Sequence, residues 1–303
     1  KMCSSEDILN TMSNKRPLIA VTGSSGAGTS IARDAFETMF RKIGINPAYI
    51  EGDCFHRYDR SEMEKLSAEA GIKGENLTHF GPEGNLFNEL EALFGEYGEK
   101  GTGQRRFYIH DAKEASQHGL PPGSITSWEP IEEHSDLLFY EGLHGGLVTD
   151  PVNVYQHVDL LIGFTPIINL EWMQKIHRDR ALRGYSTEDA TKLILDRMHD
   201  YMHYIIPQFS LTDINFQRVP TIDTSNPFAA DDIPSNDESF SVIHIRNLEK
   251  IEVDFRYLLE MLEGSMMSSP ETIVVPAGKM IFAMQLILTP LITKLYTQKE
   301  TFI

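Results

Sequence analysis

The sequence predicts an α/β fold in which helices flank a largely parallel sheet. Two observations predict this class. Short apolar, β-branched runs alternate with segments of helical periodicity, and a glycine-rich string separates the first run from the first helix. Strands that are joined by helices pair in parallel, because such a crossover is long enough to bring the chain back to the same edge. The predicted strands are Leu18 to Val21, Ala48 to Glu51, Leu137 to Tyr140, Leu160 to Phe164 and Val219 to Asp223.

The helices and the remaining segments complete this prediction. Two further apolar runs, Phe240 to Ile245 and Thr272 to Val275, bracket a helical segment over Phe255 to Glu263 and predict extra strands near an edge. Gly, Pro and charged residues dominate 65–80 and 98–130, which predicts surface insertions that could close over a site. The predicted helices are Ser30 to Ile43, Leu86 to Tyr97, Asn169 to Arg183, Glu188 to Ile206 and Met280 to Gln298.

Composition excludes several classes of function. The chain has 303 residues and a net charge of −17, with 27 Lys and Arg against 44 Asp and Glu, which argues against a nucleic-acid or anionic-membrane surface. The apolar run Met280 to Ile292 is too short to span a bilayer, so no membrane span is expected. Only Cys3 and Cys54 occur, which excludes a disulfide framework and fits a reducing cytoplasm. We expect a flexible leader over 1–15 and a single domain over 16–303.

The glycine-rich string predicts a phosphate-binding loop of the P-loop NTPase type. It lies between an apolar strand and a helix, where backbone N–H groups and the helix dipole can hold a polyphosphate such as that of ATP. Thr29 stands where such loops carry a lysine, so a cation must come from elsewhere, and Ser30 is positioned to bind Mg²⁺. The alternative is an ordinary glycine turn before a helix. The loop residues are Gly23, Ser24, Ser25, Gly26, Ala27, Gly28, Thr29 and Ser30.

The second predicted strand ends in a polar segment that could bind an acceptor. Ligands of open α/β sheets bind beyond the carboxyl ends of the strands. Asp53 could remove a proton from an attacking hydroxyl, while His56, Arg57 and Arg60 could hold an anionic group. The alternative is that Asp53 caps a turn and that the arginines are solvated.

The third predicted strand also ends in a carboxylate. Glu141 follows the apolar run and precedes glycines, a position from which it could hold Mg²⁺ or its water. An acidic residue after a buried strand is weak evidence alone, and the glycine-rich string strengthens it. Asp136 lies at the opposite end of the same strand and is the weaker candidate.

A basic cluster on a predicted helix could supply the cation that the loop lacks. Lys175, Arg178 or Asp179, and Arg183 recur at the spacing of one helical face in an otherwise acidic chain. Charge clusters on helices are often solvent-exposed salt bridges, which is the alternative. The missing lysine favours delivery of positive charge to a phosphate.

Several strings together resemble the bacterial branch of the phosphoribulokinase family, P-loop kinases related in fold to uridine and pantothenate kinases. The resemblance covers the chain from about Arg16 to the C-terminal helix, and Thr29 is itself typical of the bacterial branch. The matching strings are Gly23 to Ser30, Glu51 to Asp53 with Phe55 to Arg57, Phe139 to Gly145, Glu171 to Arg183, Pro207 to Ser210, Ile214 to Pro220, Asp223 to Phe228 and Met284 to Leu288.

The resemblance implies transfer of the ATP γ-phosphoryl group to the primary hydroxyl of D-ribulose 5-phosphate. It implies that Asp53 is the base, that Lys175 and Arg178 neutralise charge on the transferring group, and that ATP and Mg²⁺ are required. Asp179 and Glu141 are implied as catalytic or Mg²⁺-associated carboxylates. The residues implied to bind the sugar phosphate are His56, Arg60, Tyr108, His110 and Arg183.

Two other functions remain open at the level of the sequence. The chain could be a kinase of the same fold that acts on a nucleoside or another pentose phosphate, although Arg60 and Arg183 favour an acceptor that already carries a phosphate. It could also be a catalytically idle regulator that senses nucleotides, but such a protein need not keep Asp53, Glu141, Lys175 and Asp179 together. The resemblance also implies a homo-oligomer.

Overall fold

The computed structural model describes residues 16–23, 29–132, 134–165, 167–229 and 232–300, and the expected leader over 1–15 lies outside them. The strands are β1 (Leu18–Gly23), β2 (Pro47–Glu51), β3 (Gln104–Arg105), β4 (Glu129–Pro130), β5 (Leu137–Gly142), β6 (Leu160–Phe164), β7 (Ile214–Pro220), β8 (Ser239–Ile245), β9 (Met266–Ser269) and β10 (Thr272–Pro276). The helices are α1 (Thr29–Ile43), α2 (Arg60–Lys73), α3 (Phe87–Lys100), α4 (Ala112–His118), α5 (Ile168–Arg183), α6 (Thr187–Asp196), α7 (Phe255–Met261) and α8 (Met280–Glu300).

Among the described residues, one sheet of eight strands organises the protein. Its order is β2-β5-β1-β6-β7-β8-β10-β9, and the pairs from β2 to β7 are parallel. The last four strands pair in antiparallel fashion and form the extra strands at one edge. Strands β3 and β4 form a separate two-stranded ribbon within the second predicted insertion. The predicted fold class is therefore confirmed.

Each face of the sheet carries its own apolar core. Strand β1 shows why, since alternate side chains point to opposite faces: Ile19 and Val21 belong to one core, and Leu18 and Ala20 to the other. The first core packs under α1 and α8, and the second under α3. Strands covered on both faces are apolar throughout, which made the central strands easy to predict.

Three aspartates brace the starts of the parallel strands. Each aspartate lies directly before a strand. Its backbone N–H donates to the carbonyl of a residue at or near the start of the neighbouring strand, and its carboxylate accepts the backbone N–H of that same residue. This double contact pins the register of two neighbouring strands. The pairs are Asp136 with Asn46, Asp159 with Leu18, and Asp213 with Leu161, at carboxylate-to-nitrogen distances of 2.8, 2.7 and 2.8 Å.

The predicted strand Val219 to Asp223 was placed too late in the chain. The observed β7 spans Ile214–Pro220, and it pairs with β6 on one side and β8 on the other. Ile214 and Phe216 are buried while alternate residues are polar. The alternation marks a strand, and the prediction missed it by following only the continuous apolar residues.

The predicted helix Glu188 to Ile206 is not continuous. Helix α6 ends at Asp196, and the chain continues through a short turn at Met198–Asp200, a π-helical turn at Tyr201–Ile205 and a 3₁₀ turn at Ile206–Ser210. Pro207 lies in the last of these turns, and its ring disfavours regular helix in the turn just before it, where the π-helical turn is found.

The first predicted insertion is mostly helical. Helix α2 covers Arg60–Lys73, beginning at Asp59, whose carboxylate accepts the N–H of Glu62 at 2.8 Å, and ending at Gly74 with φ of 73°. Asp59 with Glu62 is a capping signature, and Gly74 supplies the left-handed conformation that ends a helix. Both signals were present in the sequence and were missed.

Helix α8 is the longest helix among the described residues. The stretch Ala277–Thr297 has the length and apolar composition that a membrane span would need, and 33% of its most apolar window is buried inside the protein. Met284, Leu288 and Ile292 are fully buried in the core beside α1. Packing therefore accounts for part of the apolar composition, and the absence of a membrane span stays a prediction.

We expect Asp159→Ala to lower the free energy of unfolding by about 1–3 kcal/mol, because it leaves the buried N–H of Leu18 without its carboxylate acceptor. Asp136→Ala is the matched control, since its bond to Asn46 is exposed and water can replace it. Urea denaturation of both variants measures the difference. Equal losses would contradict the bracing role of the buried aspartate.

Candidate active site

The carboxyl ends of the parallel strands place the candidate residues at one edge of the sheet. Glu51 at the end of β2 is in register with Glu141 near the end of β5, and Val21 of β1 is in register with Glu141 on its other side. Gly23 is the buried last residue of β1. The predicted nucleotide and acceptor segments therefore start from adjacent strands.

The strand and helix that should flank a phosphate loop are both present. Strand β1 ends at Gly23 and α1 begins at Thr29, as the motif requires. Ser24, Ser25, Gly26, Ala27 and Gly28 lie outside the described residues, as do the side chains of Thr29 and Ser30. Their roles as nucleotide and Mg²⁺ ligands stay predictions.

Asp53 lies on a 3₁₀ turn, Gly52–Phe55, directly after β2. Its carboxylate is 36% exposed, with Oδ1 3.5 Å from His56 Nε2 and Oδ2 3.9 Å from His110 Nε2. A Cβ at Gly52 would come within 2.5 Å of the Tyr140 hydroxyl, so only glycine allows this close approach of the turn to β5. The turn presents a reachable carboxylate flanked by two imidazoles.

The surroundings of the two imidazoles shift their pKa values in opposite directions. Burial lowers the pKa of His56, whose ring lies 4.3 Å from that of His79. Burial also disfavours the charged form of His110, but its 3.1 Å hydrogen bond to Glu51 and the charges of Glu51 and Asp53 outweigh that and raise its pKa to about 9. His110 is therefore a cation at neutral pH, and His56 is neutral.

The predicted acceptor residues come together around Asp53. The Tyr108 ring lies 5.0 Å from the His110 ring and meets the His56 ring edge-on at 5.6 Å, and the Arg60 guanidinium lies 5.9 Å from the Tyr108 ring. Arg57 instead donates to the Asn85 carbonyl at 3.0 Å. A base, a neutral imidazole and two cations thus form one group that could orient an anionic hydroxyl compound.

Helix α5 carries a second group of charges. Lys175 Nζ lies 2.5 Å from Asp179 Oδ2, and Arg178 Nε lies 3.9 Å from Asp179 Oδ1, with the Asp179 side chain fully buried. Burial and the nearby Arg197 charge lower the pKa of Lys175 to about 8, against the opposing pull of Asp179. The Asp179 carboxylate contacts both cations, whereas the sequence analysis placed these charges on one helical face and offered salt bridges only as the solvent-exposed alternative. The side chain of Arg183, at the end of this helix, lies outside the described part.

Arg197 is a functional candidate that the sequence analysis missed. Its charge lowers the pKa of both His56 and Lys175, so it lies within electrostatic range of the two groups. Its guanidinium also lies 5.7 Å from the ring of Phe80. Nothing local in the sequence marked it, because the helix prediction made it one exposed charge among several.

Gln208 is a second residue whose role emerged only from the structure. Its buried Oε1 accepts from the Thr22 hydroxyl at 3.1 Å and from Gly146 N at 2.9 Å, while Nε2 donates to the carbonyls of Leu143 and Tyr204 at 2.8 and 2.6 Å. The amide thus ties the end of β1 to the loop after β5. In the sequence analysis Gln208 appeared only within a string that matches the family, with no role of its own.

The carboxylates at the strand edge fit a Mg²⁺ ion. Glu141 and Glu51 are half-buried hard-oxygen donors on adjacent strands. The described residues hold no cluster of three or more metal-ligating side chains. Mg²⁺ usually takes one or two carboxylates and completes its shell with water and substrate phosphates, so a sparse oxygen site is the expected kind.

Known proteins resemble this chain along nearly its whole length. The model of the "Phosphoribulokinase / Uridine kinase family" matches residues 18–225. A phosphoribulokinase of Nitrobacter vulgaris is 57% identical over 290 residues, covering 95% of this chain and 99% of that protein. A chromosomal phosphoribulokinase of Cupriavidus necator is 56% identical over 290 residues, with the same coverage. The solved structure of phosphoribulokinase from Rhodobacter spheroides matches with a TM-score of 0.87 at 50% identity, covering 95% of this chain and 99% of that one.

Proposed function

The chain belongs to the phosphoribulokinase and uridine kinase family, and on that premise we propose that it phosphorylates the primary hydroxyl of D-ribulose 5-phosphate with ATP. The products are ribulose 1,5-bisphosphate and ADP. The observation that carries the proposal is the placement of the Asp53 carboxylate between His56 and the cationic His110. This arrangement supplies a base for a hydroxyl beside positive charge for a phosphate that the acceptor already carries.

Asp53 is the proposed base. As the acceptor oxygen attacks the γ-phosphorus, its proton passes to the Asp53 carboxylate, and the bond from the γ-phosphorus to the β,γ-bridging oxygen breaks. The partly exposed carboxylate can reach substrate, while the buried turn beneath it limits its movement. His56, Arg60, Tyr108 and His110 orient the sugar phosphate, together with Arg183.

The charges of α5 act on the transferring group. Lys175 and Arg178 neutralise charge that develops on the γ-phosphoryl oxygens, in place of the lysine that Thr29 replaces. Asp179 keeps both cations in position by direct contact. Mg²⁺, when bound, withdraws charge from the phosphates, and Ser30 and Glu141 would hold it. The fully buried Asp179 carboxylate, which was also predicted as a Mg²⁺ ligand, is instead occupied by the two cations.

The wider setting of the enzyme is part of the same proposal. We place 16–303 in one domain, because one sheet runs from β1 to β10. A homo-oligomer is supported by the exposed apolar side chains Ile281 and Phe282 on α8. The net charge of −17 supports a protein without nucleic-acid or membrane partners, and the buried free thiol of Cys54 fits the cytoplasm.

We expect the protein to release ADP from Mg·ATP in the presence of ribulose 5-phosphate, but not with ribose 5-phosphate, uridine or pantothenate as the acceptor. The cations around Asp53 favour an acceptor that already carries a phosphate. A coupled assay measures the four rates. Turnover on a different acceptor would move the function to a related kinase, and no turnover with retained ATP binding would favour the regulator.

We expect Asp53→Asn to lower kcat about 100- to 10,000-fold, the range for loss of a general base, while ATP binding is retained. Asp59→Asn is the matched control, because it removes the same charge six residues away and asparagine also caps a helix. Steady-state kinetics and ATP titration measure both effects. Normal turnover in Asp53→Asn would exclude Asp53 as the base.

We expect kcat/KM for the sugar phosphate to fall as pH rises through about 8, because Lys175 then loses its proton and its positive charge. In Lys175→Arg the guanidinium stays charged, so the fall should move towards the pKa of His110 at about 9. Lys192→Arg is the control, since Lys192 forms an analogous pair with Asp196 on an exposed face. A pH profile unchanged by Lys175→Arg would contradict this assignment.

A further inference from the structure

Arg106 contacts the backbone of the turn that carries Asp53. Its Nε donates to the Cys54 carbonyl at 2.6 Å, and its Nη2 donates to the His56 carbonyl at 2.5 Å. These two carbonyls lie on either side of Phe55, at the end of the 3₁₀ turn. One planar guanidinium therefore fixes two points of the backbone that carries the proposed base and its neighbouring imidazole.

The other side of Arg106 is also packed. Its guanidinium lies 4.6 Å from the centre of the Trp128 ring, and Trp128 packs against Phe55 at 5.8 Å. A guanidinium over an indole gains cation–π attraction, and Arg is favoured over Lys where a planar group both stacks and donates two bonds. Arg106 is thus enclosed between the turn and the aromatic ring of the second insertion.

The spacing of the segment links Arg106 to the acceptor residues. Beyond β3 the chain stays paired with 123–126, through the antiparallel bridge of Tyr108 with Ile125 and the hydrogen bonds of Phe107 and Ile109. Successive side chains of extended backbone point to opposite sides. Arg106, Tyr108 and His110 accordingly all contact the Asp53 turn or its neighbours, whereas Arg105 lies over the ring of Phe107.

We propose that Arg106 is the positioning residue of the acceptor half of the site, locking the Asp53 turn to the segment that carries Tyr108 and His110. His110 contacts the Asp53 side chain, and Arg106 donates to backbone carbonyls of the same turn and its end. The base and the acceptor ligands therefore form one rigid unit. The inference rests on the proposed roles of Asp53 and His56. The hydrogen bonds that place Arg106 in this role are those of Nε and Nη2 to backbone carbonyls, so we assign it a positioning role and not a catalytic one.

Kinetics of Arg106→Gln and Arg106→Lys test the proposal. We expect Arg106→Gln to lower kcat about 100-fold, the effect of a displacement of about 1 Å, and to raise KM for the sugar phosphate while KM for ATP is unchanged. The kcat and KM of Arg106→Lys should lie between those of Arg106→Gln and those of the unsubstituted protein, since an ammonium cannot hold both carbonyls. Arg105→Gln is the matched control: it removes the adjacent charge, which pairs with Glu129 and Glu132, and should leave kinetics unchanged.

Chemical rescue separates positioning from folding. Guanidinium ion, added well below denaturing concentrations, should restore part of kcat in Arg106→Ala, because it can occupy the space between Trp128 and the turn. It should not restore Asp53→Asn. Thermal unfolding of the same variants shows whether the fold is intact.

The outcomes distinguish this inference from the proposed function. Kinetics of Arg106→Gln equal to those of Arg105→Gln, or an equal rise of KM for both substrates without guanidinium rescue, would overturn the role of Arg106. Normal turnover in Asp53→Asn would instead overturn the proposed base, whatever the Arg106 variants do. A loss of kcat with a rise of KM for the sugar phosphate alone, together with rescue by guanidinium ion, would support the proposal.

Discussion

Parallel pairing of the central strands fixes where the polar chemistry of this protein can lie. Because β2, β5 and β1 run in the same direction, their carboxyl ends meet at one end of the sheet. The segment of Glu51 and Asp53 therefore lies beside Glu141, which is distant in the chain. Strands β1 and β5 are buried on both faces and carry no charged side chain at their centres. Polar residues are therefore restricted to the ends, one end braced by aspartates and the other available for ligands.

The braced end supports the functional end through the rigidity of the strands. Asp159 and Asp213 each satisfy a buried backbone N–H that a parallel strand would otherwise leave unpaired at its start. A slip of one residue would turn every side chain of a strand to the other face. Contacts far from the site thus keep the carboxylates at the opposite edge in register.

Burial of charge shapes the site itself. A buried carboxylate needs opposite charge close by, and Asp179 obtains it from Lys175 and Arg178 on its own helix. His110 keeps its proton because Glu51 faces it, while His56, closer to Asp53 but more buried, is held neutral. The same residue type therefore takes two protonation states within one small group, according to burial and nearby charge.

The sequence by itself determined the order of strands and helices through the centre of the chain and the residue types at the strand ends. Periodicity, glycine and capping signals are local in the sequence, so they predict elements without knowledge of packing. Strand β6 is an example, since its predicted bounds match the observed ones. Helix α5 is a second example, predicted over Asn169 to Arg183 and observed over Ile168–Arg183. The break after α6 involves partners distant in the chain, Thr78 for Asp200 and Glu171 for Tyr201, and there local patterns misled. The alternation at the start of β7 was local and was overlooked. Only the tertiary structure decided which side chains meet: Gln208 with Thr22, Arg197 with its two groups, and Arg106 with the Asp53 turn. The physical reason is that these contacts join segments tens to hundreds of residues apart, and no local pattern encodes a distance between them.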